Sequence, residues 1–68
     1  MKPISGKRLC KVLKTRGWTL DHIRGSHHVY THPDAPRPIP GPVHGNRELR
    51  AGTQRPIIRE AGLTDDDI

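Results

Sequence analysis

A chain of 68 residues is one domain at most, and a core of that size supplies only a few kcal/mol of net stability. Apolar residues make up 31% of it, phenylalanine is absent and the formal net charge is +5. No apolar run approaches the roughly 18 residues a membrane span needs, and with Cys10 the one cysteine, no internal disulfide can form.

The lone cysteine fits a reducing, cytoplasmic setting. MKPISGKRLC lacks the apolar stretch of a secretory signal and is expected not to be one. Charge is unevenly spread. Residues 1–47 hold nine Lys/Arg against Asp21 and Asp34, a balance of +7, whereas residues 48–68 hold three basic and five acidic residues, a balance of −2. A basic body with an acidic tail points to a polyanionic partner, most simply nucleic acid. The plainer account is that Lys and Arg serve solubility.

In chain order, Ser5 is placed to cap a helix with the body GKRLCKVLKTR. Leu9, Val12, Leu13 and Arg16 follow helical spacing and form a narrow stripe, with Cys10 beside it as a small core residue. Lys7, Lys11 and Lys14 share another face, either solvated or tracking phosphates. Gly17 is placed to end the helix. WTLDHIR (18–24) alternates as a strand, Trp18, Leu20 and His22 against Thr19, Asp21 and Ile23, with a bulge or face switch expected near Ile23. Gly25 and Ser26 make a tight connection to a second strand, HHVYTH (27–32), in which Tyr30 is expected to pack. PDAP (33–36) is a turn. RPIPGPVHGN (37–46) reads as a third strand whose prolines confine it to a sheet edge or make it irregular. After a loop over 45–52, Thr53 is the expected N-cap of a second helix, with Pro56 in its first turn, Ile57, Ile58 and Ala61 inward and Gly62 as its stop. The tail LTDDDI is expected to fray, although Leu63 is able to pack back. The order is α-β-β-β-α, an α+β layer of three antiparallel strands with two helices on one face.

Five histidines and a cysteine invite a metal site, but the spacings do not support one. His28 and His32 share a strand face about 13 Å apart at roughly 3.3 Å per residue, too far to share one zinc ion. His27 and His28 point to opposite faces. No CxxC, HxH or HExxH spacing occurs, so neither metal nor cofactor is expected. Ser5 and Ser26, the two serines, sit in no nucleophile-elbow pattern. RNA cleavage needs the least machinery. The 2′-OH beside the scissile phosphate is the nucleophile, an imidazole can take its proton near neutral pH, and a Lys or Arg can stabilise the phosphorane charge.

GWTLDHIRGSHHVYTHP followed by PIPGPVHGNRELRAGTQRPIIREAGLT resembles the HicA family, the small mRNA interferase toxins of HicA–HicB toxin–antitoxin systems. The resemblance spans nearly the whole chain, and its most specific parts are GSHHVY, PVHGN and the closing AGTQRPIIREAGL. It implies a fold like the double-stranded-RNA-binding domain, ribosome-independent cleavage of mRNA with growth arrest, and a HicB-type antitoxin that covers the active site and carries the toxin into an oligomer. The family's catalytic histidine maps to His27, after Gly25 and Ser26, with Gly25 turning the chain so that the histidine is presented. Two departures stand out: Pro38, Pro40 and Pro42 where the family shows a more regular strand, and Gln54 and Pro56 where an apolar residue and a helix former are expected.

The residues therefore divide as follows. His27 is the expected general base. His28 is able to orient it or contact phosphate, or else is simply exposed. His44 is a second titrating group or a turn residue. Arg24, Arg47 and Arg50 join Lys7, Lys11 and Lys14 as phosphate contacts, whose signature is salt-dependent binding. Trp18 is a core residue. The rival reading is a small RNA-binding module without catalysis. Operator binding by a helix-turn-helix is disfavoured, because three strands separate the two helices.

Overall fold

The computed structural model describes residues 2–68. Its first helix, α1, spans Gly6–Thr15, and the Ser5 hydroxyl accepts the Arg8 N–H at 3.1 Å, satisfying one of the helix's free donors. Leu9, Cys10, Val12 and Leu13 are buried while Lys7, Lys11 and Lys14 face solvent, as the stripe requires. The helix closes on a Schellman pattern: Gly17 has φ 89°, its N–H reaches the Lys14 carbonyl at 3.2 Å, and the Trp18 N–H reaches the Leu13 carbonyl at 3.0 Å.

Three strands follow: β1 (Thr19–Arg24), β2 (His27–Thr31) and β3 (Ile39–Pro42), antiparallel in the order β1-β2-β3. The first two are one residue shorter than their sequence patterns, whereas β3 keeps only four residues of the segment 37–46, because the prolines and the Gly45–Asn46 turn confine the ladder to them. The β1–β2 register is interrupted once. Thr19 and Leu20 pair with Thr31 and Tyr30, but His22, Ile23 and Arg24 pair with Val29, His28 and His27. Asp21 is the extra residue, so the bulge lies two positions before Ile23, where the alternation pointed. Paired residues share a face. The Leu20–Tyr30–Ile39 and Ile23–His28–Gly41 rows therefore face the helices, and the His22–Val29–Pro40 and Arg24–His27–Pro42 rows lie on the open face.

The prolines of β3 fit this register. A proline has no N–H to give, so its rows must be those without ladder hydrogen bonds. Pro40 and Pro42 occupy alternate rows, and the next row out is hydrogen-bonded, with the Val43 N–H donating to the Ser26 carbonyl at 2.8 Å. The proline nitrogens consequently turn outward, on an edge strand, where their missing donors cost little.

The second helix, α2, spans Ala51–Ala61. It begins two residues before the expected cap at Thr53. Arg50 occupies the N-cap in extended conformation without a side-chain cap, and the Leu49 N–H is tied to the Ile4 carbonyl at 2.8 Å. Pro56 thus falls inside the helix rather than in its first turn. Gln54 is not a misplaced core residue. It is 1% exposed, its Oε1 accepts the Ile4 N–H at 3.1 Å, and its Nε2 donates to the Lys2 carbonyl at 2.7 Å. An apolar residue there would leave the Ile4 N–H and the Lys2 carbonyl without these partners. Gly62 (φ 69°) closes α2 with the same bonding pattern as α1, and Leu63 packs into the core. The tail expected to fray instead forms a 3-10 turn over Asp65–Asp67: the Thr64 N–H donates to Asp67 Oδ2 at 2.8 Å, and the same carboxylate pairs with Arg16 at 3.4 Å.

One apolar cluster unites Ile4, Leu9, Val12, Leu13, Trp18, Tyr30, Ile39, Ile57, Ile58 and Leu63. Tyr30 and Trp18 both take the core places expected of them. Helix and sheet approach closely at Gly6, where an added Cβ would clash with the Pro42 carbonyl oxygen. Gly6→Ala is expected to destabilise the fold by about 1–3 kcal/mol through overpacking, read as a lowered midpoint in urea unfolding.

Burial, reinforced by the Cys10 thiol as a hydrogen-bond partner, pushes the Tyr30 phenol up from 10.0 to about 12. Burial also pushes the Cys10 thiol up, against smaller opposing effects of Tyr30 and Lys14. The neutral phenol is the form the fold favours, so its contribution to stability is intact below pH 10 and is lost as pH rises through about 12. Because Tyr30 is the one tyrosine, phenolate absorbance should titrate with a midpoint near 12 in the native protein; a midpoint near 10 would contradict the buried placement.

Candidate active site

Gly25 and Ser26 are the two residues of the loop that joins β1 to β2. Gly25 has φ 59° and Ser26 is not among the positive-φ residues, the pattern of a type II′ hairpin turn with glycine first. The turn makes Arg24 and His27 the closing pair of the hairpin. Direct cross-strand partners carry their Cβ atoms about 4.5–5.5 Å apart, so an exposed imidazole and an exposed guanidinium stand side by side on the open face.

The next row brings His22 to the same face, opposite Val29. Its Nδ1 lies 2.7 Å from Asp21 Oδ2. Consecutive residues of a regular strand point to opposite faces. The bulge at Asp21 is what lets these neighbours meet. Both side chains remain more than half exposed, at 52% for His22 and 56% for Asp21.

The other site residues read from the sequence are partly gathered here. Pro42 pairs with His27, so His44, two residues further on, belongs to the same end of the sheet. The Ser26 carbonyl holds this end shut by accepting the Val43 N–H. Gly6 packs against Pro42, which brings the start of α1, with Lys7, to this end. Lys11 and Lys14 recede along the helix, Lys14 by about 10 Å from Lys7 at 1.5 Å per residue. Arg47 lies in the turn after His44, and Arg50 precedes α2; both are exposed. His28 is separated from His27: it is half-buried in the row of Ile23 and Gly41, on the helix-facing side.

The opposite end of the sheet has a different character. A cavity of about 370 Å³ is lined by Arg16, Trp18, His32, Asp34, Arg59 and Glu60, among others. The Trp18 and His32 rings meet there at 5.2 Å, and His32 Nδ1 accepts the Asp34 N–H at 3.0 Å. Among the described residues, no three His, Cys, Asp or Glu side chains are grouped so as to hold a metal ion. No helix among them is long and apolar enough to cross a membrane.

The helix, three-stranded antiparallel sheet and helix define a double-stranded-RNA-binding-domain-like α+β fold, here with a histidine at the tip of its first hairpin. The family model described as the HicA toxin of bacterial toxin–antitoxin systems matches residues 6–63, and the chain belongs to that family. A comparison with curated proteins finds no match. Membership makes the protein one member of a toxin–antitoxin pair, with an antitoxin as its partner.

The Asp21–His22 pair escaped the sequence reading, which placed His22 on one face with Trp18 and Leu20. The available signal was the Asp-His step inside a strand whose alternation breaks. The turn is open to a direct check. Nothing lies within 4 Å of a Cβ added at Gly25, so a substitution there tests backbone conformation alone. Gly25→Val should cost about 1–2 kcal/mol, the penalty of a left-handed L-residue, and should broaden the amide NMR signals of Arg24 and His27.

Proposed function

We propose that the protein is a toxin that cleaves mRNA without a metal, with His27 as the general base. The observation that carries this reading is the placement of an exposed His27 at the tip of a two-residue hairpin, directly opposite Arg24. The imidazole takes the proton of the 2′-OH, the 2′ oxygen attacks the adjacent phosphorus, and the guanidinium offsets the charge gathering on the phosphorane oxygens. The products are a 2′,3′-cyclic phosphate and a 5′-OH. Gly25 and Ser26 shape the turn, and His44 borders it. Lys7, Arg47 and Arg50 hold the RNA backbone close to the reacting phosphate, while Lys11 and Lys14 extend that track along α1. His28, on the other face, supports the strand rather than the chemistry. The setting is the cytoplasm, where mRNA is found, and a HicB-type antitoxin silences the toxin by covering the His27 hairpin within a toxin–antitoxin oligomer.

Purified wild type and His27→Ala, incubated with a long single-stranded RNA in EDTA and followed by mapping of the product ends, test this. Wild type should leave 2′,3′-cyclic phosphates. His27→Ala should lose about 10²–10⁴-fold in rate while its RNA affinity, by gel shift, stays within a few-fold. RNA left intact by both proteins, yet shifted by both, would instead make the chain a binding module.

A further inference from the structure

Base removal at the 2′-OH accounts for half of the proton traffic in RNA cleavage. The departing 5′ oxygen must also gain a proton, and the reading above assigns no group to that task. We infer that His22, oriented by Asp21, is the general acid that protonates the 5′ oxygen. The inference rests on the reading of the chain as an RNA-cleaving toxin.

Three features carry it. First, His22 shares the open face with His27: it pairs with Val29, which lies two residues from His27 along β2. This makes His22 and His27 diagonal cross-strand neighbours, about 7–8 Å apart and within reach of long or aromatic side chains. Imidazoles carried on backbone positions at that spacing are able to flank one phosphodiester. In-line displacement needs its base and its acid on opposite sides of the phosphorus, beside the attacking and the leaving oxygen.

Second, His22 is held. Its Nδ1 is 2.7 Å from Asp21 Oδ2, so Nδ1–H donates to the carboxylate and Nε2 is left as the nitrogen that meets solvent or substrate. A histidine whose second nitrogen is bound to a carboxylate has a fixed tautomer and a fixed ring direction.

Third, Arg24 completes the group. It lies two residues from His22 on the same strand face and opposite His27, so its guanidinium flanks the same phosphate from the β1 side. The two-residue turn sets the first and third relations through the unbroken pairing from Arg24–His27 to His22–Val29, and the bulge at Asp21 supplies the second. With pairing unbroken from the turn, Asp21 would fall opposite Tyr30 on the helix-facing side and Leu20 would be lost to the open face.

The step balances as follows. The 2′-O–H proton passes to the neutral His27 ring as the bond from O2′ to phosphorus forms. The bond from phosphorus to O5′ breaks, its electron pair stays on O5′, and that oxygen takes the Nε2 proton of the His22 imidazolium. The turnover ends with His27 protonated and His22 neutral, and exchange with water resets both.

A substrate with sulfur in place of the 5′ bridging oxygen separates the roles, because a thiolate departs without needing a proton. Wild type, His22→Gln, Asp21→Asn and His27→Ala are assayed on matched oxygen and sulfur oligonucleotides. On the oxygen substrate, His22→Gln is expected to lose about 10²-fold or more, with a smaller loss for Asp21→Asn. On the sulfur substrate, both should return to within a few-fold of wild type, while His27→Ala stays inactive. An oxygen-substrate rate unchanged in His22→Gln, with His27→Ala dead, overturns the acid assignment and leaves the proposed function standing. A His22→Gln loss that sulfur does not repair also overturns it, marking His22 as a binding or folding contact. Rescue of His27→Ala instead would reverse the two roles. Absence of cleavage by wild type on either substrate overturns both readings. His22 and Asp21 are exposed, and circular dichroism of each variant confirms that the fold is retained.

Discussion

A single residue left out of register governs what this protein can present to a partner. Asp21 has no cross-strand partner, and the strand beyond it is shifted by one position relative to β2. In a sheet with a side-chain period of two, that shift exchanges the faces of everything that follows. His22 and Arg24, paired from the turn, lie on the side of His27, and the shift is what keeps Leu20 with Tyr30 over the core. The accompanying cost is Ile23, which is delivered to the helix-facing side beyond the reach of the helices and remains 57% exposed. The cluster on the open face is thus a property of the pairing that the Gly25–Ser26 turn begins, and the bulge at Asp21 reconciles that pairing with Leu20 over the core.

The remainder of the molecule keeps that pairing in place with few resources. Tyr30 lies in β2, the middle strand of the sheet, 1% exposed, and anchors the sheet from below in a chain that has no phenylalanine. Its row continues through Ile39, and the row beside it ends at Gly41, which lies against Cys10 of α1. At the other extreme of the core, Gln54 ties the N-terminal segment to α2 through two backbone groups. Such a bond contributes about 1 kcal/mol, but an unpaired buried group costs about 1–3 kcal/mol. In a domain stable by only a few kcal/mol the second figure decides, which explains a glutamine where the apolar periodicity asked for a hydrocarbon.

Features that depend on local chemistry were readable from the sequence. The Ser5 cap, the stripe Leu9–Val12–Leu13, the glycine stops after both helices and the Gly-Ser turn all involve residues within a few positions of one another, and all appear in the structure. The GSHH motif located the hairpin whose closing pair contains His27. Features decided by distant partners were not readable. The bulge falls at Asp21 rather than near Ile23 because β2 supplies the register. Gln54 is buried because Lys2 and Ile4, fifty residues away or more, need its amide. The second helix starts before Thr53 because Leu49 is tied to Ile4. The acidic tail is ordered because Asp67 finds both Thr64 and Arg16.

The prolines of β3 have a consequence for how copies of this chain can meet. With the Pro40 and Pro42 nitrogens turned outward and the Pro42 carbonyl packed against Gly6 of α1, that rim of the sheet is short of the donors another strand would require. The far rim, β1, keeps its full complement of N–H groups apart from the bulge. Sheet extension is therefore possible from one side only. Two copies that meet β1 to β1 use up both extensible rims, and no third copy can be added by the same contact. The polymerisation that threatens small proteins with two open rims is terminated at a pair, by a covalent property of two residues that no fluctuation of the fold can undo.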